Sequence, residues 1–303
     1  MKHYNSFNEY CKKKYGKKIY KLSISGGMTC PNRDGTLDTR GCIFCSSGGS
    51  GEFSSAYSTD IISQLNEAKK RVEAKTKDNL YIAYFQPFSN TYADVDYLRD
   101  IYYKAIKPDY IVGLSIATRP DCINKEILKL LSGINKIKPV TVELGLQTIH
   151  ESTAEYIRRG YPLSVYVKAV NDLHKIKIEV VTHLIIGLPY ESEEMILDSV
   201  RYVGKLTDGI KLQLLHILKG TDLEKEYLQN KFEVLSLEKY TDLICKSIAL
   251  LPENVVIHRI TGDGDKRGLI APLWSADKKR VLNYINKELD RRCVKQGGKL
   301  CQT

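Results

Sequence analysis

The amino-acid sequence predicts an α/β protein whose parallel strands form a closed or partly closed β/α barrel. Short β-rich runs alternate with amphipathic helical stretches, and most of these runs are apolar on both faces, as in a covered parallel sheet. The runs begin at intervals of roughly 30 residues, the length of a βα unit. Such repeated β-to-α steps imply a parallel sheet with right-handed crossovers. A doubly wound open sheet is the alternative.

Seven runs have the composition of buried strands, enriched in β-branched and aromatic residues. They cover residues 20–25, 80–86, 110–117, 140–147, 179–186, 209–217 and 255–260. Apolar stripes with helical spacing follow Thr59, Asn124, Ser164, Thr221 and Ser236, and another covers 98–105. Asn124 is suited to capping its helix, and Thr221 with Glu224 has the spacing of a capping box.

Polar residues within and after the strands favour the barrel. In the run 140–147, alternation places Glu143, Gly145 and Gln147 on one face and aliphatic residues on the other. Burying this polar face without hydrogen bonds would cost several kcal/mol, whereas a barrel interior open to a polar ligand accommodates it. Polar residues also collect at the carboxyl ends of strands, where β/α barrels carry their active sites. They are Gln86, Arg119, Asp121, Gln147, Thr148 and His216.

Length and composition exclude disordered and fibrous proteins. The 303 residues are 43% hydrophobic and 27% charged, as expected for a chain that folds around a core. No membrane-spanning run and no secretory signal is visible, so we expect a cytoplasmic protein. The net charge of +10 is concentrated in residues 1–40 and 278–303, which carry +6 each. This suggests a polyanionic partner such as nucleic acid or, equally well, two solvated basic ends.

Three of the eight cysteines give the strongest chemical signal. Cys30, Cys42 and Cys45 occupy a loop after the first predicted strand and are separated by eleven and two residues. Spacing alone favours an iron–sulfur cluster with one open iron, but a zinc site lacking a visible fourth ligand and unbound cysteines remain alternatives. A redox pair at Cys42 and Cys45 would leave Cys30 unexplained.

The cysteine loop resembles that of the radical S-adenosylmethionine (SAM) superfamily, although the first gap is longer than in its commonest form. The long gap between Cys30 and Cys42 resembles the corresponding gap in the branch that contains the elongator catalytic subunit, a tRNA-modifying family. Further segments agree with this branch in order. They are Thr118-Arg119-Pro120-Asp121, the run Glu143 to Thr148, Arg159-Gly160, and His183 with Gly187-Leu188-Pro189.

Two C-terminal segments, Thr261-Gly262-Asp263-Gly264 and Ala271-Pro272-Leu273-Trp274, narrow the resemblance to a compact bacterial relative of about this length. That relative has no acetyltransferase domain, so acetyl transfer is not carried over. The resemblance implies a single radical SAM domain over residues 1–303. Within it, a partial (β/α)6 TIM-like barrel would cover about 18–220 and a C-terminal extension about 221–303, with a short extension preceding the barrel.

The resemblance also implies the cofactors. Cys30, Cys42 and Cys45 would be the metal-binding and catalytic residues, holding three irons of a 4Fe–4S cluster whose fourth iron SAM chelates. Reductive cleavage of SAM would yield a 5′-deoxyadenosyl radical that abstracts hydrogen from the substrate. A low-potential electron donor such as flavodoxin or ferredoxin would supply the electron.

Two segments are expected to bind SAM by this resemblance. The turn with Gln86 and Phe88 stands where the family has a Gly-Gly-Glu-like turn, so its carbonyls are expected to accept from the SAM ammonium. A plain turn is the alternative. Arg119 and Asp121 follow the third strand, and Arg119 pairs either with a ligand carboxylate or with Asp121.

Three further residues complete the expected cofactor site. Glu143 and Gln147 would contact the ribose or methionine part of SAM, with a structural network inside the barrel as the alternative for Glu143. Gly187 would let the backbone approach the adenine, unless it only forms a turn. The roles of His183, His216 and Cys122 stay open, since lone histidines in strands and small buried thiols are usually core residues.

The function predicted from these observations is modification of tRNA at the C5 side chain of the wobble uridine. Tyrosines alternate with lysines over residues 4–20, a mixture that suits RNA or, equally, a packed segment with solvated lysines. A radical SAM enzyme acting on a small molecule or peptide is one alternative. A non-catalytic iron–sulfur protein that binds RNA or senses redox state is another.

Overall fold

Seven parallel strands form one curled sheet, which a computed structural model describes over residues 3–49, 54–55, 57–74, 79–262 and 267–298. The strands of the chain are β1 (Tyr20–Ile24), β2 (Tyr81–Phe85), β3 (Ile111–Thr118), β4 (Val140–Gln147), β5 (Glu179–Ile186), β6 (Gly209–Leu214), β7 (Ile217–Leu218), β8 (Val256–Arg259) and β9 (Leu269–Ala271). The main sheet has the order β1-β2-β3-β4-β5-β6-β8, and β7 pairs antiparallel with β9. The sheet is therefore a partial β/α barrel, as predicted.

Helices connect the strands and cover the outer face of the sheet. They are α1 (Phe7–Tyr15), α2 (Ile61–Glu73), α3 (Val95–Ile106), α4 (Lys125–Asn135), α5 (Glu151–Tyr156), α6 (Leu163–Lys175), α7 (Glu193–Gly204), α8 (Asp222–Leu228), α9 (Leu237–Leu250) and α10 (Lys278–Arg291). Short 3₁₀ helices cover Pro120–Cys122 and Leu273–Ala276. Among these helices of the described chain, none combines the length and apolar composition required to cross a membrane.

The helix starts follow local chemistry. Asn124 Oδ1 accepts from Ile127 N, and Thr221 Oγ1 accepts from Glu224 N, so both residues cap their helices as predicted. Asp60 rather than Thr59 caps α2, because its carboxylate accepts from two first-turn amides. Helix α6 begins at Leu163, directly after Pro162, whereas the sequence predicts a start after Ser164.

The carboxyl-terminal part of the chain differs from the prediction in two ways. The run 209–217 does not form one strand, because the chain leaves the main sheet after Leu214 and resumes as β7 in the small sheet. Strand β8, from the region expected as an extension, pairs with β6 and supplies the seventh strand of the barrel. The expected boundary near residue 220 therefore does not separate the sheet from the rest. Asp263, Gly264 and Cys301 lie outside the described residues.

Helix α1 lies at the amino-terminal end of the barrel. Tyr10 donates to Glu179, the first residue of β5, at 2.5 Å, and Lys14 pairs with the same carboxylate at 3.0 Å. Asn5 O accepts from Ile257 N of β8 at 2.8 Å. The N-terminal segment thus closes the end of the barrel opposite the cysteine loop, which follows the carboxyl end of β1.

The first and last described residues of the chain meet at this same amino-terminal end. His3 Nδ1 bonds to Val294 O at 2.9 Å, and Gln296 N donates to His3 O at 3.0 Å. A polyanion at the barrel mouth therefore cannot contact the lysines around α1, whereas Arg33 and Arg40 of the same basic region lie in the cysteine loop at the mouth. Charge counts along a sequence carry no information about which end of the barrel the charges occupy.

Candidate active site at the carboxyl end of the barrel

A cavity of about 250 Å³ lies inside the barrel and reaches the cysteine loop at its carboxyl end. Cys30, Cys42 and Cys45 all line it. So do five other residues predicted from the sequence to contact the cofactor. These are Gln86, Phe88, Arg119, Glu143 and Gln147. Asp121 and Gly187 are not among the lining residues.

The cysteine loop is held by hydrogen bonds within itself and to the segment after α5. Arg33 Nη2 donates to Cys45 O at 2.9 Å and to Ser46 O at 2.6 Å, so its guanidinium clamps the end of the loop. Asn32 Nδ2 donates to Arg158 O at 2.6 Å and lies 3.4 Å from Cys42 Sγ. Such N–H contacts to a thiolate influence the reduction potential of an iron–sulfur centre.

The glycine of the Arg159-Gly160 motif has a steric role in this contact. Gly160 has φ +80°, and a Cβ on it would lie 2.8 Å from Asn32 Oδ1. The left-handed backbone and the close approach both require glycine here. Arg159, which is fully buried, donates to Thr148 O at 2.7 Å and Tyr161 O at 2.8 Å and so ties the end of β4 to this segment.

The three cysteines fit an iron–sulfur cluster by the chemistry of their donors. Burial raises the pKa of the Cys42 thiol to about 12, and neighbouring Cys45 adds to the effect. A bound metal would stabilise the thiolate form. Within the described part of the chain, no three His, Cys, Asp or Glu side chains converge tightly enough to hold one metal ion. A four-iron cluster does not demand that convergence, because each thiolate binds a different iron.

The turn after β2 contacts the cysteine loop directly. Phe88 N donates to Gly49 O at 3.2 Å, and Ser89 N donates to Thr29 O at 3.2 Å. Phe88 has φ +61°, a left-handed conformation that is strained for a bulky residue and recurs at functional sites. Gln86 Oε1 accepts from Ser23 Oγ at 2.6 Å. The predicted contact of these carbonyls with SAM stays a prediction.

Arg119 and Asp121 form a bidentate ion pair at 2.9 and 2.7 Å, which is the structural alternative the sequence left open. Burial opposes the charge on Arg119, but Asp121 raises the pKa of the guanidinium above its ordinary value. Arg119 also lies 5.0 Å from the ring centroid of Tyr161. Asp121 therefore positions Arg119 at the cavity. The next residue, Cys122, is a buried thiol, and burial raises its pKa to about 12.

Glu143 lies at the centre of a polar network inside the barrel. It is completely buried, and its two carboxylate oxygens accept hydrogen bonds from five side chains. The donors are Lys21 and Ser115 at one oxygen, and Tyr84, His183 and Lys211 at the other. Because five donors occupy both oxygens, the structure places Glu143 in the network that was the alternative to its expected SAM contact.

The network shifts the pKa values of its members strongly. Burial opposes ionisation of Glu143, but Lys21 and Lys211 outweigh it and hold the pKa of the carboxyl well below its usual range. Burial lowers the pKa of Lys211 to about 7, even though Glu143 opposes the shift. Burial and Lys211 lower the pKa of His183 to about 4, so His183 is neutral near pH 7.

Gln147 and Gly187 have backbone conformations that their positions require. Gln147 lines the cavity at the end of β4 with φ +67°, where the register of β4 against β5 shifts. Gly187 has φ +92°, and a Cβ on it would meet Leu235 at 2.8 Å rather than the cavity. Gly187 therefore lies in the turn after β5, and the approach of its backbone to the adenine stays a prediction.

Sequence reasoning missed two residues of the cavity that the structure makes prominent. Lys211 is buried on β6 although lysine is rarely buried, and an isolated lysine in an apolar run was the available signal. Tyr161 donates to Gly145 O and lies between the guanidinium groups of Arg119 and Arg159. His216, whose role was left open, also lines the cavity.

A partial β/α barrel, with three cysteines after its first strand and a cavity beside them, has the architecture of radical SAM enzymes. Residues 39–203 match the Radical SAM superfamily, and residues 207–291 match the Radical_SAM C-terminal domain. The chain belongs to the radical SAM superfamily, whose members bind a 4Fe–4S cluster and SAM. The three cysteines would hold this cluster here.

The chain is also similar to individual proteins within and near this superfamily. It is 44% identical over 297 residues to the uncharacterized protein YtqA of Bacillus subtilis, covering 98% of this chain and 92% of that protein. It is 29% identical over 191 residues to a tRNA uridine(34) acetyltransferase of Methanocaldococcus infernus, covering 61% of this chain but 35% of that protein. The structure of Methanocaldococcus infernus Elp3 has a similar fold, with a TM-score of 0.70 at 16% identity, covering 92% of this chain and 64% of that one.

Proposed function

We propose that this radical SAM enzyme modifies tRNA at the C5 side chain of the wobble uridine. The observation that carries the proposal is the similarity over 191 residues to an enzyme named for uridine 34 of tRNA. The similarity covers 61% of this chain and 35% of that longer protein. We therefore propose the same nucleotide as the site of modification, and we do not propose that the chain transfers an acetyl group.

The residues at the cavity suit radical chemistry on a buried substrate. The cluster and SAM together supply a 5′-deoxyadenosyl radical, which abstracts hydrogen. Cys30, Cys42 and Cys45 would hold the cluster, and Arg33 and Asn32 fix the loop that carries them.

The carboxyl face of the barrel suits an RNA base that is splayed out of its stack. Tyr190, in the turn after β5, is 65% exposed and packs edge-on against Tyr156 at 5.2 Å. Tyr57 is exposed beside the cysteine loop. Exposed aromatic rings are typical platforms on which proteins stack single-stranded RNA bases.

Basic residues on this face are candidates for phosphate contacts. Arg40 lies in the cysteine loop and is paired with Asp38, and the exposed Lys219 follows β7. These positions are at the carboxyl end of the barrel, unlike Lys12 to Lys18 around α1. The specific reaction we propose is conversion of a carboxymethylaminomethyl group on the uridine to an aminomethyl group. Hydrogen abstraction from the N–CH₂ carbon, return of one electron from the carbon radical to the oxidised cluster and loss of a proton would give an imine, and water would hydrolyse its C=N bond to release glyoxylate and the amine.

The test is a reaction in vitro with reconstituted protein. Purified protein carrying its cluster is incubated anaerobically with SAM, a low-potential reductant and tRNA from cells lacking the gene. We expect 5′-deoxyadenosine to form together with a change in one wobble nucleoside, and neither product with the Cys42→Ala variant. Formation of 5′-deoxyadenosine with no altered nucleoside would favour a small-molecule or peptide substrate. A reduced cluster without 5′-deoxyadenosine would favour a non-catalytic protein.

A further inference from the structure

Among the described residues that line the cavity, one is a lysine, Lys211 of β6. Its side chain is 7% exposed, and its amino group donates to the Glu143 carboxylate and, at 3.2 Å, to Tyr84 Oη. A protonated lysine has three donors, whereas an uncharged one has two N–H groups and a lone pair. Uncharged Lys211 can therefore keep both contacts and still offer its lone pair to a molecule in the cavity.

A second amino group beside Lys211 favours its uncharged form. Lys21 of β1 binds the other oxygen of Glu143 at 2.5 Å, so two lysines share one carboxylate inside the barrel. Desolvation and a neighbouring cation are the two means by which proteins make a lysine nucleophilic. Burial, together with Lys21 and Arg259, lowers the pKa of Lys211 to about 7 although Glu143 opposes the shift. About half of the Lys211 side chains are therefore uncharged near pH 7.

The other titratable and charged groups that face Lys211 are less suited to act as a nucleophile. They are Lys21 of β1, Tyr84 of β2, Glu143 of β4, His183 of β5, and His258 and Arg259 of β8. Lys21 does not line the cavity, and the two oxygens of Glu143 already accept from five side chains. Burial holds the pKa of Tyr84 well above its usual range, so its phenol stays protonated. A guanidinium such as that of Arg259 keeps its charge and is not a nucleophile.

The depth of Lys211 suits a group carried into the barrel by a base at its mouth. Lys211 lies three residues before Leu214, the last residue of β6, which corresponds to roughly 10 Å along the strand. The cysteine loop follows the carboxyl end of β1 and lines the same cavity. A base that enters from this end with its C5 substituent leading would therefore bring that substituent between the cysteine loop and Lys211.

We infer that Lys211 is a catalytic nucleophile that takes the glyoxylyl group from the oxidised side chain of the uridine. The inference rests on the proposed function, because that reaction supplies the imine. The Lys211 nitrogen bonds to the imine carbon, the bond from this carbon to the uridine nitrogen breaks, and the two lysine hydrogens pass to the departing nitrogen, which leaves as the aminomethyl group. Water then hydrolyses the lysine imine to glyoxylate and free Lys211. Neither step consumes an oxidant or a reductant, and Glu143 and Tyr84 position the amine.

The first test needs no RNA. Cluster-loaded protein is incubated at about pH 7 with glyoxylate and cyanoborohydride, which reduces a lysine imine to stable carboxymethyl-lysine, and the labelled sites are read by peptide mass spectrometry. We expect Lys211 to be labelled about tenfold faster or more than the exposed Lys231, because far more of it is uncharged. Lys21→Met should slow the labelling of Lys211, because loss of the neighbouring cation raises the pKa of Lys211. Lys13→Met, which removes an exposed lysine of α1, should leave the rate unchanged.

The second test follows turnover. An anticodon stem-loop carrying a carboxymethylaminomethyl group at the wobble uridine is incubated anaerobically with cluster-loaded protein, SAM and a low-potential reductant, and cyanoborohydride is then added. We expect carboxymethyl-lysine at Lys211 only when SAM and the stem-loop are both present. Lys211→Arg keeps a positive charge without a nucleophilic amine, and its iron content reports whether it folds. It should form 5′-deoxyadenosine but release the aminomethyl nucleoside about tenfold more slowly or less.

The outcomes separate this inference from the proposed function. Release of the aminomethyl nucleoside at equal rates by wild type and Lys211→Arg, with no label on Lys211, would overturn the inference and leave direct hydrolysis of the imine by water. Equal labelling of Lys211 and Lys231 by free glyoxylate would also overturn it. Selective labelling of Lys211 by glyoxylate, with no change in the stem-loop, would retain the nucleophilic lysine and refute the tRNA substrate.

Discussion

Replacing Glu143 by glutamine tests the polar network most severely. The amide has the size of the carboxylate but no charge, and Lys21 and Lys211 would remain buried without their counter-ion. One of its two polar atoms would be an NH₂ group facing side chains that already donate. Breaking a buried ion pair by removing one partner costs about 3–5 kcal/mol, so we expect Glu143→Gln to lose that much stability.

The matched variants separate the charge from the shape of the site. Lys211→Met removes one buried ammonium and leaves Glu143 with Lys21, Ser115 and its other donors. We expect the double variant Glu143→Gln with Lys211→Met to recover part of the loss, because one of the two unpaired cations is then gone. The coupling free energy between the two sites should be about 0.5–3 kcal/mol, as for residues in direct contact.

The assay is urea unfolding of the four proteins, carried out anaerobically with the cluster loaded, at about pH 6, where Lys211 is protonated. A loss below about 1 kcal/mol for Glu143→Gln would refute the reasoning, since that is the range of an exposed pair. Strict additivity of the two substitutions would also refute it, because the side chains would then not share one network.

Four further predictions follow from the same contacts. Between about pH 7 and the ordinary lysine pKa, the free energy of unfolding should rise with pH more steeply in the wild type than in Lys211→Met. In this pH range Lys211 has released its proton in the folded protein but keeps it in the unfolded chain. Equal pH slopes for the two proteins would contradict this. Gly160→Ala should lower the iron content after reconstitution, because the added Cβ displaces Asn32; an unchanged iron content and absorption spectrum would contradict it. Tyr190→Ala should weaken tRNA binding by about 1–3 kcal/mol in a filter-binding assay, with SAM binding unchanged. Lys219→Glu should weaken tRNA binding and reduce its salt dependence, whereas Lys13→Glu at the far end of the barrel should do neither.

The parallel sheet was predictable because its strands carry their own signal. The runs 140–147 and 179–186 match β4 and β5 to the residue, since both combine β-branched composition with sharp ends. The break after Leu214 was not predictable, because an apolar run does not show which sheet it joins. The place of β8 in the main sheet is likewise a matter of tertiary pairing with β6 rather than of local composition.

The candidate site was predictable where the residues belong to contiguous motifs. The three cysteines and the turn with Phe88 lie in short segments, and the structure brings them to one cavity. Lys211 was missed because its partner Glu143 is 68 residues away, so nothing near it explains a buried lysine. The network around Glu143 assembles from the six strands β1 to β6, and only the curled sheet brings their side chains together.

The wobble nucleosides of tRNA test the central claim most directly. They are compared by mass spectrometry in tRNA from cells with the gene, cells without it, and cells complemented with wild type or Cys42→Ala. We expect deletion to leave a wobble uridine with its carboxymethylaminomethyl group, and the wild type but not Cys42→Ala to restore the mature nucleoside. An identical nucleoside profile in all four strains would contradict a role in tRNA modification.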